Sequence, residues 1–175
     1  MKNSKLTPLQ NDFLAAFFHL DNRFFLTGCA ALSGFYLGHR ETLHLDLFTL
    51  HDILDEGVAG VYEVARLLGC TVEPVQTSPD FRRLLMRRGE ETVVIDLLRD
   101  RVTQLVADKD KAVINGIRID SPEEILANKL CALLSRAEVR DLVDARAGGT
   151  SRAELQRYLD GLVKRLAKLA FPGGT

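Results

Sequence analysis

The six residues Leu43–Phe48, read LHLDLF, constrain the fold more than any other stretch. Apolar and polar side chains alternate with the two-residue period of a half-buried strand. The alternation predicts Leu43, Leu45 and Leu47 on a core face and His44, Asp46 and Phe48 on the opposite face. His44 and Asp46 would then lie about 6.6 Å apart along the strand, close enough for both side chains to reach one ion. The approach, LTGCAALSGFYLGHRET from Leu26, predicts a short strand Phe24–Thr27, a turn at Gly28 and a helix from Cys29 to Leu37 closed by Gly38. A helix start behind a glycine offers backbone N–H groups and a positive dipole end, which suit phosphate. Taken alone, Gly28 fits an ordinary strand-to-helix turn and Cys29 a buried apolar thiol. With LHLDLF one helix later, the phosphate role is favoured. Arg40 suits a phosphate and a salt bridge near Asp46 equally, and His39 fits a structural hydrogen bond.

The flanking segments predict a sheet with helices packed on it. Thr7-Pro8-Leu9-Gln10 has the form of a capped helix start, and Leu9, Phe13, Phe17 and Leu20 follow at helical spacing. Asp52–Leu68 repeats apolar residues with helical period up to Gly69. Cys70–Gln76 reads as a strand that Pro74 confines to an edge. Phe81–Arg87 and Thr92–Leu98 read as a hairpin, and Val113–Ile119 as a second one turning at Asn115-Gly116. Asp96 is a lone charge in the apolar run VVIDLL, and a buried carboxylate is costly unless paired or metal-bound. Arg82, Arg83, Arg87 and Arg88 are either a solvated strand and turn or a groove for an RNA backbone.

After Ser121 and Pro122 a helix is expected, with Glu124 in the capping-box position. Ile125, Lys129 and Leu133 are four apart, so Lys129 lies on the apolar stripe and must snorkel or meet an anion. Asp141 and Asp144 share the face of a following helix, where Arg140 can pair with Asp144. A last helix is expected from Ser151, with Leu155, Leu159, Leu162, Leu166 and Leu169 on one side.

Bulk composition excludes several classes. At 175 residues, with 46% hydrophobic and 27% charged residues, the chain reads as one soluble domain over 1–175. The expected division is a core over about 24–120 and a helical part over about 121–171. A net charge of −1 gives no global field for nucleic acid, so any such binding needs a local patch. Three cysteines without C-x-x-C spacing point to a reducing cytoplasm, without a disulfide framework or structural zinc. No signal peptide and no stretch of roughly 20 apolar residues is seen, so no membrane is expected. No G-x-S-x-G elbow is present, and His19, His39, His44 and His51 suggest no hydrolytic dyad.

Four segments in order, LTGCAALSGFYLGHR, ETLHLDLFT, VVIDLLRD and EEILANKLCALLSRAEVRDLVDARA, run from about Phe24 to Ala147. Together they resemble the AbiEii family of minimal nucleotidyltransferases, which includes toxins of bacterial toxin–antitoxin systems. The resemblance implies an α+β fold of the nucleotidyltransferase type: a mixed β-sheet flanked by helices, with C-terminal helices. It implies transfer of a nucleoside monophosphate from an NTP to an acceptor such as tRNA or protein, with Mg2+ or Mn2+, and an antitoxin partner. It assigns metal to positions 44, 46 and 96, catalysis to Asp46, Asp96, Lys129 and Asp141, with Asp144 second to Asp141, and nucleotide binding to Gly28, Cys29, Arg40 and Lys129. The family pattern has two small residues at 28–29 and Asp-x-Asp at 44–46, where this chain has Gly28-Cys29 and His44-Leu45-Asp46. Imidazole suits Mg2+ less well than carboxylate and Mn2+ or Zn2+ better. Three outcomes follow: a softer metal at His44, one metal held by Asp46, Asp96 and Asp141, or a catalytically impaired protein that binds nucleotide or a partner.

Overall fold

The computed structural model describes residues 5–136. The chain divides into two compact units, Met1–Ile125 and Leu126–Thr175. The first unit opens with helix α1, Pro8–Leu20. The expected capping box is present: Thr7 Oγ1 accepts from Gln10 N at 3.2 Å, and Gln10 Oε1 accepts from Thr7 N at 2.9 Å. Leu9, Phe13 and Phe17 are buried, whereas Leu20, expected on the same face, is exposed where the helix runs out.

Strand β1, Phe25–Thr27, leads directly into helix α2, Gly28–Ala31. The single helix expected to Leu37 changes pitch after one turn and continues as a π-helical turn, Leu32–Tyr36, in which Leu37 N donates to Leu32 O at 2.7 Å. Strand β2 is His44–Thr49. Leu43, expected on its core face, lies just outside the strand and is 64% exposed, so the apolar face starts at Leu45.

Helix α3, Leu54–Leu68, precedes three antiparallel strands: β3, Thr71–Ser78; β4, Phe81–Arg88; and β5, Glu91–Arg99. A short hairpin follows, β6, Ala112–Ile114, and β7, Ile117–Ile119. Asn115 and Gly116 at its turn both have positive φ, the geometry that favours Asn-Gly in two-residue hairpins. Helix α4, Pro122–Arg136, begins with Ser121 Oγ accepting from Glu124 N at 3.1 Å. Glu124 serves the loop before β6: its carboxylate accepts the N–H groups of Leu105 and Val106.

The seven strands form one mixed sheet in the order β3-β4-β5-β2-β1-β7-β6. The pairs β2–β5 and β1–β7 are parallel and the rest antiparallel. β3 is an edge strand, as Pro74 predicts. Helices α1 and α3 pack on one another and on the sheet. The buried set joins Phe13, Phe17 and Phe24 to Leu45, Leu47, Ile95 and Leu97. Phe17 stacks on Phe13 at 5.4 Å and meets Phe24 edge-on at 5.5 Å. Burying each such side chain is worth about 1.5–3 kcal/mol. Gly57 lets α3 approach closely, since a Cβ there would strike the Phe24 ring. With Leu45, Leu47, Ile95 and Leu97 committed to this core, strand alternation turns His44, Asp46, Val94 and Asp96 to the other face.

Candidate active site

Strand register assembles the site. Thr27 of β1 pairs with Asp46 of β2, Asp46 with Asp96 of β5, and Asp96 with Arg83 of β4. Directly paired residues point to the same face, so these four side chains form a row across four neighbouring strands spaced about 4.8 Å apart. The acids come from segments fifty residues apart in sequence, and the parallel pairing of β2 with β5 makes them neighbours.

Gly28 forms the wall beside Asp46. Its φ of +65° suits a residue without Cβ, and a Cβ built there would fall on the Asp46 carboxylate. The turn is therefore shaped by two requirements at once: a left-handed backbone and room for the acid. Cys29 follows, buried, with Arg40 Nη2 donating to its Sγ at 2.7 Å. This contact brings the Arg40 guanidinium to the Gly28 turn. Arg40 also donates to the Glu41 carbonyl at 3.4 Å.

Asp96 is 4% exposed as a residue and bound from both sides of its carboxylate by one partner. Arg83 Nε donates to Oδ1 and Nη2 to Oδ2, each at 2.7 Å. This is the paired-fork geometry that makes Arg–carboxylate bonds strong and directional. The Asp96 hydrogen bonds raise the guanidinium pKa above its ordinary value; burial opposes this, and the charges of Asp96 and Asp46 add to it. His44 Nδ1 stands 3.8 Å from Asp96 Oδ2.

The row continues past Thr27. Its Oγ1 donates to Asp120 Oδ2 at 2.9 Å, and Lys111 Nζ donates to Asp120 Oδ1 at 2.7 Å. Asp120 and the Lys111 side chain are fully buried, and Lys111 Nζ sits 3.9 Å from the centre of the Phe25 ring. Burial pushes the Asp120 carboxyl above its ordinary value, while the Lys111 and Thr27 hydrogen bonds pull it down. The Tyr36 hydroxyl closes this flank by donating to the Asp120 carbonyl at 2.9 Å.

The structure thus brings Gly28, Cys29, Arg40, His44, Asp46 and Asp96 into one neighbourhood. Lys129 is a half-buried residue of α4 in the second unit. Asp141 and Asp144 lie outside the described residues. Two participants escape sequence reading. Arg83 looked like one member of a basic run, and the structure disperses that run: Arg82 pairs with Asp55, Arg87 with Glu73, and Arg88 with Asp12 and Glu91. Lys111 gave no signal, because only the β6–β7 fold carries it under the sheet face to Asp120.

The expected metal donors His44, Asp46 and Asp96 lie on one face of the paired strands β2 and β5. Among the described residues no three His, Cys, Asp or Glu side chains are arranged to hold a metal. Arg83 donates to both Asp96 oxygens. Asp46, a half-buried carboxylate beside the Gly28 turn, and Asp96 both have the oxygen donors that suit a hard divalent cation. Cys29 and Cys70 are free thiols, and among the described residues no helix is long and apolar enough to cross a membrane.

Solved structures share this architecture. JHP933 from Helicobacter pylori superposes with a TM-score of 0.64 at 20% identity, over 94% of this chain and 78% of that one. MenT4, a nucleotidyltransferase toxin from Mycobacterium tuberculosis, gives 0.61 at 19% identity, over 92% of this chain and 64% of that one. A further H. pylori protein, described as a candidate nucleotidyltransferase, gives 0.61 at 23% identity over 78% of this chain. The chain spans less than two thirds of the length of this last protein and of MenT4, 63% and 64%. At these identities the likeness establishes the nucleotidyltransferase fold. No curated protein sequence matches the chain. The family model described as "Nucleotidyl transferase AbiEii toxin, Type IV TA system" matches residues 12–170, nearly the whole chain and all of the acid row, and the chain therefore belongs to the AbiEii nucleotidyltransferase toxin family.

Proposed function

We propose that this chain transfers a nucleoside monophosphate from an NTP to an acceptor, tRNA or protein, as the toxin of a toxin–antitoxin pair. The observation that carries the reading is the in-register pair Asp46 and Asp96 beside the Gly28 turn. In this reading the triphosphate lies along that turn, with the amides at Gly28 and Cys29 as donors and Arg40 as a counter-charge. Lys129 adds a second positive charge, and Asp141, or Asp144 after it, accepts the proton of the attacking hydroxyl. These last roles come from the family pattern. Asp46 and Asp96 would hold a Mg2+ or Mn2+ ion, which would supply Lewis-acid charge at the phosphates. The α-phosphorus gains a bond to the acceptor oxygen and loses its bond to pyrophosphate, which leaves with the negative charge.

His44 and the Arg83–Asp96 fork favour a second reading, nucleotide or partner binding without transfer. The two separate in one experiment. The folded chain is incubated with each NTP labelled at the α-phosphate, Mg2+ or Mn2+, and bulk tRNA, and its melting temperature is followed in parallel. Label on tRNA or protein supports transfer. A melting shift without label supports binding alone. Neither signal for any nucleotide or metal removes transfer and nucleotide binding and leaves partner docking.

A further inference from the structure

Asp120, directly after β7, is fully buried, and its polar groups hold both ends of the segment that carries the Gly28 turn. Its N–H donates to the Leu26 carbonyl, its Oδ2 accepts from Thr27 Oγ1, and its carbonyl accepts from the Tyr36 hydroxyl, each at 2.9 Å. Leu26 and Thr27 lead into the turn, and Tyr36 ends the π-helical turn that follows it. The Thr27 hydroxyl is committed to this contact: Thr27 stands at the N-cap of α2, yet its side chain makes no capping bond there. Asp120 is itself pinned by Lys111. Nζ donates to Asp120 Oδ1 at 2.7 Å and to Gln104 Oε1 at 2.9 Å, and lies 3.9 Å from the centre of the Phe25 ring. Burying such an ion pair is costly, and two apolar side chains would serve packing as well or better. What an ionised carboxylate adds is two fixed acceptor oxygens, one for its anchor and one for Thr27.

We propose that Asp120 is a positioning residue of the candidate active site: anchored by Lys111, it fixes residues 27–36 from both ends and so sets the Gly28 turn beside Asp46. Asp120 acts through Thr27 and Tyr36. Thr27 is the cross-strand partner of Asp46, and Gly28 packs so close to that carboxylate that a Cβ would strike it. A small displacement of the turn therefore changes the space between them. The use of this turn as a seat for triphosphate rests on the transfer reading above; the tether does not.

The test is amide hydrogen exchange of the full chain without nucleotide, followed by calorimetric titration with ATP, GTP, CTP and UTP, each with Mg2+. Thr49→Val is the control, because it removes an equally buried hydroxyl at the far end of β2, where Thr49 Oγ1 donates to the Arg23 carbonyl at 3.0 Å. Thr27→Val should speed exchange over residues 28–36 about fivefold, the loss of one buried hydrogen bond read locally. Thr49→Val should leave that segment at the wild-type rate, and Thr27→Ser should restore it. Lys111→Met/Asp120→Leu replaces the pair by apolar side chains, keeps the fold and takes the acceptor from Thr27, so it should show the same local rise. The NTP that the wild type binds should be held at least about fivefold more weakly by Thr27→Val and by the double variant. Thr27→Ser and Thr49→Val should bind it as the wild type does. Equal exchange over residues 28–36 in Thr27→Val and Thr49→Val, a wild-type rate there in the folded double variant, or unchanged NTP affinity in Thr27→Val overturns the proposal. If the double variant does not fold, the Thr27 series decides. A wild type that binds no NTP, with the exchange pattern as expected, overturns the proposed function and leaves this inference standing.

Discussion

Gly28 is the residue at which backbone geometry and chemistry meet most tightly. Its positive φ is unfavourable for any side chain, and the space a Cβ would need belongs to Asp46. Gly28→Ala should therefore cost about 1–3 kcal/mol in urea denaturation and abolish the melting shift produced by nucleotide. A variant with unchanged stability and an unchanged shift would separate the turn from the site. The Lys111–Asp120 pair makes a second prediction at this scale. Both side chains are fully buried, so removing one partner leaves a charge without compensation. Lys111→Met should cost about 3–5 kcal/mol, and Lys111→Met/Asp120→Asn should recover much of that loss. The pH dependence follows from the raised Asp120 carboxyl, which burial holds in its protonated form more readily than in the unfolded chain. Its contribution is complete below the ordinary carboxylate range and declines as pH rises through the raised folded value. The difference in urea midpoint between the wild type and Asp120→Asn should narrow across that window, and a constant difference would refute the shift.

At the scale of elements, the parts legible in sequence were those whose signals are local. The capping box of α1, the alternation in β2, the proline on the edge strand and the Asn-Gly turn all depend on neighbours within a few residues. Thr7→Ala should lower stability by about 1 kcal/mol through the lost cap, measured by denaturant unfolding. Parts that depend on distant pairing were not legible. Arg83 is one of four arginines in β4 with similar local surroundings, and only the register with β5 gives it Asp96. The exposure of Leu43 is likewise a matter of where pairing begins, which the alternation alone does not mark. The change of helical pitch at Leu32 has no sequence signal of its own. Asp96 was legible for a different reason: a carboxylate within VVIDLL demands a partner whatever the register.

For the molecule as a whole, the division of labour lies between the two sides of one sheet. Aliphatic and aromatic burial under α1 and α3 holds the strands in place. The resulting rigidity keeps Thr27, Asp46, Asp96 and Arg83 in line on the opposite side. Order along the chain revealed the acids; parallel pairing of β2 with β5 made them a pair. In the proposed reaction this pair drives nucleotidyl transfer, and the direct measurement is the rate of α-phosphate label transfer by the wild type and by Asp46→Asn. Wild-type transfer should be measurable with Mg2+ or Mn2+ and should fall at least about 100-fold in a variant that folds and melts like the wild type. Equal transfer by the two proteins would show that the acid pair takes no part in the reaction.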